Sequence, residues 1–304
     1  MKITKILLVM LMTCFLWACK YNVAEEKGPR DPQFQTISPS QTVVFIHGMY
    51  LTSESWREWE TYFQNLGYTT YSPAWPFHDL SVAEQNALHP NSELGALTLP
   101  QLLQHYRDFI ATLDEPPILV GHSMGGLIVQ MLLEENIAAA GIAVDSAPPF
   151  GVISFEPKFL QASLPILNPT VKLSVPSKLT FKQFQRSFVN GLDLQYQQDA
   201  YAQYAVPESL RVGRSTLTSA AKVDTTIARA PLLMIAGGKD NLATASTNYV
   251  NFRLFQKTPA ITDYKQFADR NHWTLQQDGW ESVADYVANW IEENREGAVV
   301  AQAQ

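Results

Sequence analysis

Short apolar runs alternate with segments of helical periodicity along most of the chain. Five apolar runs cover residues 42–48, 69–75, 117–123, 141–145 and 231–236, and a last strand is predicted near 261–267. The runs at 141–145 and 231–236 are continuously apolar, which is typical of strands covered on both faces. This alternation predicts an α/β fold with a mostly parallel sheet and right-handed crossovers, and places functional sites at the carboxyl ends of the strands.

The first helical segment follows the first apolar run and has large apolar side chains at positions i, i+3, i+7 and i+10. These side chains are Trp56, Trp59, Phe63 and Leu66. Such spacing places all four on one face, so we expect this face to pack on the sheet.

Residues 152–230 break the alternation of strands and helices. Their strand signals are weak, and they carry nine Lys and Arg against five Asp and Glu. We interpret them as a helical cap inserted into a core formed by 42–151 and 231–293. Five phenylalanines could roof a pocket beneath this cap, or could simply form its interior. They are Phe155, Phe159, Phe181, Phe184 and Phe188.

The first 18 residues have the pattern of an export signal. Lys2 and Lys5 precede an apolar run of thirteen residues, 6–18, which is too short to span a bilayer as a helix. The sequence Leu16-Trp17-Ala18-Cys19 resembles the lipobox of bacterial lipoproteins, and this resemblance implies cleavage before Cys19 and lipidation of its thiol. The alternatives are an ordinary cleaved signal peptide or an uncleaved anchor, with Cys19 incidental.

The segment 19–41 is polar and carries three prolines, so we interpret it as a flexible tether with a reach of roughly 25 Å. Residues 294–304 are predicted to be a disordered tail. Removing residues 1–18 takes the net charge from −7 to −9, so attachment to a membrane would depend on acyl chains. We therefore expect an exported, membrane-anchored lipoprotein of a bacterial cell envelope, or a secreted or periplasmic protein if Cys19 carries no lipid.

Composition narrows the partners and cofactors. A pI of about 5.4 gives no basis for binding nucleic acid through bulk charge. Both cysteines, Cys14 and Cys19, lie in the leader, so no disulfide can form within the body. The chain has no Cys or His pair at ligand spacing and no phosphate-binding glycine motif, so we predict no metal or other cofactor. Oligomeric state is left open.

The residues Gly121-His122-Ser123-Met124-Gly125 fit the pattern G-x-S-x-G. The motif alone is weak, but here an apolar strand precedes it and an apolar helix follows it. A serine at such a turn projects its hydroxyl from the edge of the sheet, and small neighbours allow the turn to pack. We therefore predict that Ser123 is a nucleophile rather than an ordinary serine in a glycine-rich turn.

A serine nucleophile requires a base, and the base requires an acid that fixes its tautomer. His272 follows the last predicted strand, where it could reach Ser123. Asp240 follows the preceding strand and is the predicted acid. Its rivals are Asp145, which ends the strand before the cap, and Asp269, which lies close to His272 along the chain.

The oxyanion formed during acyl transfer requires hydrogen-bond donors that are already in place. The amide of Met124, directly after the nucleophile, is the first predicted donor. The second should come from the turn after the first strand, where we predict Met49, with Tyr50 as its nearby alternative.

These residues resemble the α/β-hydrolase superfamily, and within it a bacterial group of capped serine hydrolases. The chain order Ser123, Asp240, His272 and the His47-Gly48 turn carry the resemblance, which covers about residues 42–293. It implies a carboxylesterase-like enzyme, and we expect a small ester substrate that is at least partly apolar. The same fold also serves thioesterases, lactonases and cofactor-free haloperoxidases, and a non-catalytic surface binding protein is a further alternative.

Overall fold

A computed structural model describes residues 23–28 and 36–295 of the chain. The predicted signal peptide, Cys19 and residues 296–304 of the predicted tail lie outside the described residues.

A seven-stranded sheet forms the centre of the molecule. Its strands are β1 (Glu25–Lys27), β2 (Thr42–Ile46), β3 (Thr69–Tyr71), β4 (Ile118–His122), β5 (Ala140–Val144), β6 (Leu232–Gly237) and β7 (Thr262–Phe267). The spatial order is β1-β7-β6-β5-β4-β2-β3, and every pair except β1–β7 is parallel. The predicted fold class is confirmed. Because β2 to β7 are parallel, their carboxyl ends lie at one edge of the sheet.

Helices connect the strands and form the cap. They are α1 (Arg57–Asn65), α2 (Val82–Ala87), α3 (Ser92–Ala96), α4 (Leu99–Ile110), α5 (Met124–Leu133), α6 (Pro157–Leu167), α7 (Phe181–Ser187), α8 (Leu194–Tyr204), α9 (Leu210–Arg214), α10 (Ala245–Leu254) and α11 (Glu281–Glu293). In the described ranges, no helix combines the length and apolar character needed to cross a bilayer.

Helices cover both faces of the sheet, which explains why its central strands are apolar at successive positions. On β2, Val43 and Phe45 belong to the hydrophobic cluster on one face, which includes side chains of α1 and α11, whereas Val44 and Ile46 belong to the cluster on the other face, with side chains of α4, α5 and α10. Successive side chains of a strand point to opposite faces, so an uninterrupted apolar run is what two covered faces require.

The cap lies between β5 and β6 in the chain and contains α6 to α9. Phe184 and Phe188 are buried and their rings stack 4.8 Å apart, while Phe181 packs edge-on against Tyr201. A buried contact of 3.3 Å between Glu208 of the cap and His78 helps join the cap to the core.

Two expectations from the sequence, one about the tether and one about the first helix, differ from the structure. Part of the presumed tether is ordered, because Glu25–Lys27 forms β1 at the sheet edge, where Lys265 pairs with Glu25 at 2.9 Å. Three charged residues give no alternating pattern, so sequence periodicity could not reveal this strand.

Leu66 is not on the buried face of the first helix: α1 ends at Asn65, and Leu66 is 50% exposed.

Candidate active site

Ser123 lies in a strained turn between β4 and α5. Its φ of 55° and ψ of −118° lie outside the regions that side-chain-bearing residues normally adopt. Strain of this kind persists only where the surrounding structure enforces it, and it is common at functional sites. The turn leaves Ser123 at the carboxyl edge of the sheet, 7% exposed at the bottom of a pocket.

Two glycines of the motif are required by close backbone packing. A Cβ on Gly121 would lie 2.2 Å from the carbonyl oxygen of Gly125, and one on Gly125 would lie 2.1 Å from the carbonyl oxygen of Ile46. Both distances are far shorter than any real contact. The spacing G-x-S-x-G therefore allows α5 to begin directly against β2 and β4.

Ser123, His272 and Asp240 form a continuous hydrogen-bonded chain. His272 Nε2 lies 3.0 Å from Ser123 Oγ, and His272 Nδ1 lies 2.6 Å from Asp240 Oδ2. The other carboxylate oxygen of Asp240 accepts from the amides of Leu242 and Ala243 at 2.6 and 2.9 Å. Asp240 is thus fixed on one side by backbone donors and presents its other oxygen to the imidazole.

The loops that carry Asp240 and His272 are hydrogen-bonded to each other beyond the end of the sheet. The amide of Gly238 donates to the carbonyl of Phe267 at 2.8 Å, and the amide of Lys239 donates to the carbonyl of Arg270 at 2.8 Å. These bonds extend the pairing of β6 and β7 into the loops. The separation of Asp240 and His272 is therefore set mainly by the backbone.

The environment of His272 favours its charged form. Burial alone would lower the pKa of His272, but the negative charge of Asp240 and its hydrogen bond raise it above its usual value. An imidazole that is readily protonated can accept the serine proton and then hold it next to Asp240.

The rival acids occupy different positions. The Asp269 side chain is 67% exposed and lies 3.7 Å from Arg270. Asp145 is completely buried close to the triad, and burial together with the charge of Asp240 raises its pKa to about 7. Its two oxygens contact the amide of Gly237 at 2.6 Å and the hydroxyl of Thr274 at 2.5 Å.

The hydroxyl of Thr274 indicates which protonation state of Asp145 fits this arrangement. Thr274 Oγ1 lies 2.5 Å from Asp145 Oδ2 and 2.7 Å from the carbonyl oxygen of Asn271. A hydroxyl has one proton to donate, so it cannot donate to both acceptors. Both contacts are satisfied when Asp145 is protonated and donates to Thr274, which in turn donates to Asn271. Sequence reasoning could not assign this role to Asp145.

His122 packs against His272. Its Nε2 donates to the carbonyl of His272 at 2.9 Å, and the two rings lie 4.7 Å apart. The sequence placed His122 in the elbow with its side chain directed away from Ser123. It gave no signal for this contact, because His122 and His272 are 150 positions apart in the chain and meet only through the fold.

A metal site at this cluster is disfavoured by the bonds already made. Ligand atoms of His122, Asp145 and His272 lie within 4.8 Å of one another. However, both ring nitrogens of His272 contact Asp240 and Ser123, and both oxygens of Asp145 have hydrogen-bond partners. The donor set fits a hydrogen-bonded network better than the ligands of a cation.

The turn after β2 packs directly against Ser123. A Cβ on Gly48 would lie 2.8 Å from Ser123 Cβ, so this position requires glycine for close approach. Met49 and Met124, the predicted oxyanion donors, both line the pocket that contains Ser123. The amide of Met124 is the first of α5, and such amides have no acceptor within their own helix.

The His47 imidazole is neutral and is hydrogen-bonded to this turn. The amide of Trp75 donates to His47 Nε2 at 3.2 Å, so Nδ1 carries the proton and donates to the carbonyl of Gly48 at 2.9 Å. Burial, and then the proximity of His78, lower the pKa of His47 well below its usual value. Its role is therefore to position the turn that carries Met49.

An apolar cavity of about 250 Å³ lies between Ser123 and the cap. Phe155, Phe159 and Phe188 line it, whereas Phe181 and Phe184 do not, so the five phenylalanines divide between the two expected roles. The described residues that line this cavity include no charged side chain, and the polar ones are mainly serine and threonine. The cavity suits a neutral, largely apolar group bound next to Ser123.

The elbow, the turn after β2 and the seven-stranded sheet define an α/β hydrolase. Residues 43–286 match the alpha/beta hydrolase family, and the chain belongs to that family.

Solved structures resemble the chain over most of its length. A methylesterase from Arabidopsis is 17% identical with a TM-score of 0.55, and the match covers 82% of this chain and 98% of that one. A pyrethroid hydrolase from Sphingobium faniae is 15% identical with a TM-score of 0.58, covering 83% and 98%. A monoacylglycerol lipase from Paleococcus ferrophilus is 18% identical with a TM-score of 0.56, covering 88% and 97%. No curated protein matches the chain in sequence.

Proposed function

We propose that the protein is a serine hydrolase that cleaves carboxylic esters through an acyl-enzyme intermediate. The observation that carries this proposal is the hydrogen-bonded chain from Ser123 Oγ through His272 to Asp240. A strained elbow, a base with a raised pKa and an acid held by two amides together provide what an activated serine requires.

In the first half of the reaction, His272 Nε2 takes the proton of Ser123 as Oγ attacks the ester carbonyl. The carbonyl oxygen becomes an oxyanion, for which the amides of Met49 and Met124 are the proposed donors. The intermediate then expels the alcohol, which receives the proton from His272, and leaves an acyl group on Ser123. Water, activated by the same imidazole, releases the acid and restores the serine hydroxyl.

The pocket supports a neutral ester with an apolar acyl or alcohol part. A volume of about 250 Å³ is at the small end for ligand sites. The names of two structurally similar proteins, a methylesterase and a monoacylglycerol lipase, also favour an ester substrate. The cap cations Arg214 and Arg229 donate to backbone carbonyls and are not among the pocket residues. An uncharged substrate therefore fits better than an anionic one.

Labelling with a fluorophosphonate probe tests the nucleophile directly. The parent protein should react and Ser123→Ala should not, while Ser146→Ala serves as a matched control at a neighbouring buried serine. Equal labelling of parent and Ser123→Ala would exclude Ser123 as nucleophile. No labelling of the folded parent would favour a binding protein without turnover.

A series of nitrophenyl esters of increasing acyl length tests the substrate. We expect activity to pass through a maximum at short to medium chains, because the cavity is only about 250 Å³. Labelled protein that hydrolyses thioesters or lactones but none of these esters would retain the nucleophile and refute the ester assignment.

A further inference from the structure

Apolar side chains surround the mouth of the pocket and remain exposed to solvent. Four of them line the pocket and are also between 45% and 71% exposed. We call this set the rim, and its members are Ile153, Phe155, Leu160 and Leu217. A side chain that belongs to both the pocket and the surface must lie at the opening.

The apolar surface extends beyond the rim. Leu164 follows Leu160 by one turn of α6 and is 58% exposed, and Phe150 is 46% exposed. Single exposed apolar residues are common, but a group of them around one opening is typical of a surface that contacts a protein or a membrane.

The position and direction of β1 favour contact of this surface with a membrane over contact with a protein. β1 is antiparallel to β7, with Glu25 opposite Lys265 and Lys27 opposite Asp263. The amide of Gln266 donates to the carbonyl of Ala24 at 2.7 Å. The described chain therefore begins, at Val23, near the carboxyl end of β7, which is the edge of the sheet that carries the catalytic loops and the cap.

The beginning of α6 lies close to the same place. Glu156, the N-cap of α6, accepts from the hydroxyl of Thr244 at 2.7 Å, and Lys158 donates to the carbonyl of Asp240 at 3.1 Å. Both contacts are to the loop after β6. β6 is two strands from β1 in the sheet, a separation of about 10 Å.

Cys19 precedes Val23 by only four residues, which can span at most about 14 Å. A lipid on Cys19 would therefore hold the carboxyl edge of the sheet towards the membrane. A free tether of some twenty residues between Cys19 and the body would leave the orientation of the protein on the bilayer undetermined.

We propose that the rim and Leu164 dock on the phospholipid bilayer that holds Cys19, so that the pocket receives amphiphilic esters directly from the membrane. This proposal rests on the proposed function and on lipidation of Cys19. Apolar side chains supply the contact, because a chain with a net charge of −9 gains nothing from anionic lipid.

The cysteine-free body allows a direct test of orientation. Leu164→Cys and Leu66→Cys are matched variants, because both replace an exposed leucine and Leu66 lies beside the start of β3, at the opposite edge of the sheet. The full chain is expressed with its own leader, purified, labelled with a fluorescent maleimide and reconstituted with phosphatidylcholine vesicles that carry a spin-labelled lipid. The parent protein, labelled in parallel, reports any reaction at Cys19.

We expect the lipid to quench the label at position 164 strongly and the label at position 66 weakly, because quenching by lipid requires contact with the bilayer. Equal quenching at both positions, or none at position 164 in vesicle-bound protein, would overturn the proposal. Failure of the protein to bind the vesicles would also overturn it, as would protection of the rim by a second copy of the chain alone. Repeating the measurement in the Ser123→Ala background separates this result from the proposed function, since quenching needs no turnover.

Turnover gives a second readout. Leu164→Asp should reduce hydrolysis of an ester embedded in the vesicles by about tenfold, because burying one leucine is worth at least that factor. Hydrolysis of a dissolved short-chain ester should stay within about twofold, and Leu66→Asp should leave both unchanged. Equal loss on both substrates would assign Leu164 to the cap's stability rather than to docking.

Discussion

The sheet edge and the cap contribute different chemistry to the site. The sheet edge carries the buried polar residues Ser123, His272 and Asp240, of which Ser123 lines the pocket and the other two lie behind it. The cap contributes mainly apolar side chains, and several of these are half-exposed at the rim. The comparison indicates that the sheet edge determines whether a bond is cleaved, whereas the cap determines which molecule is presented to the serine.

The sharpest test of the sheet side compares its two buried acids. Asp240→Asn should lower kcat by about 10³- to 10⁴-fold, because the amide cannot stabilise the imidazolium and favours the wrong tautomer. Asp145→Asn should lower kcat by less than about tenfold, because Asp145 does not contact the imidazole through a hydrogen bond. Steady-state kinetics on one soluble ester measures both. A larger loss from Asp145→Asn would reverse the assignment of the acid.

The pH dependence of kcat/KM provides a second test of the sheet side. His272 must be neutral to act as a base, and its pKa is raised, so activity should fall as pH drops through a midpoint above about 6.5. Asp240→Asn removes the charge that raises this pKa, so the midpoint of its residual activity should move to lower pH by about one unit or more. An unchanged midpoint would mean that a different group limits the reaction.

On the cap side of the pocket, a substitution at Gly213 tests whether the cap selects substrates by size. A Cβ there would lie 2.5 Å from Ile166 Cγ2 and 2.9 Å from Met49 Cε, so a larger side chain must narrow the pocket. Gly213→Val should reduce kcat/KM for medium-chain esters by about tenfold and for acetyl esters by less than about threefold. Ala220→Val, at an exposed cap position outside the pocket, is the control. Equal losses across the series would show that the cap does not select by size.

The smallest expected effect concerns the stability contributed by Asp145. Its folded pKa is about 7, above the unfolded value near 4, so the folded state binds the extra proton between these pH values. The contribution of Asp145 is therefore complete below about pH 4 and is lost as pH rises through 7. Relative to the parent, Asp145→Asn should gain at least about 2 °C in Tm between pH 4.5 and 7.5. A constant difference would mean that Asp145 is ionised throughout.

The sequence predicted the sheet edge better than the cap, for a physical reason. Buried parallel strands require continuous apolar runs, and in a parallel sheet Ser123, Asp240 and His272 must meet because each follows a strand. The cap has no such constraint: its helices are short, and Phe181 and Phe188 share a helical spacing but have different neighbours. β1 gave no pattern because it is short and charged. The roles of His122, Thr274 and Asp145 depend on contacts between distant loops, which periodicity does not encode.

Part of the joint between the cap and the core is made by main-chain atoms of the cap. Asn271 donates to the carbonyl of Asn190 at 2.9 Å, Asn241 to that of Arg186 at 3.1 Å, and the amide of Val206 to the carbonyl of Tyr50 at 3.1 Å. A carbonyl is present whatever side chain the residue carries. At positions 186, 190 and 206 the cap can therefore exchange its side chains during evolution and keep these three bonds, so that the cap can vary there while the geometry around Ser123 is inherited unchanged.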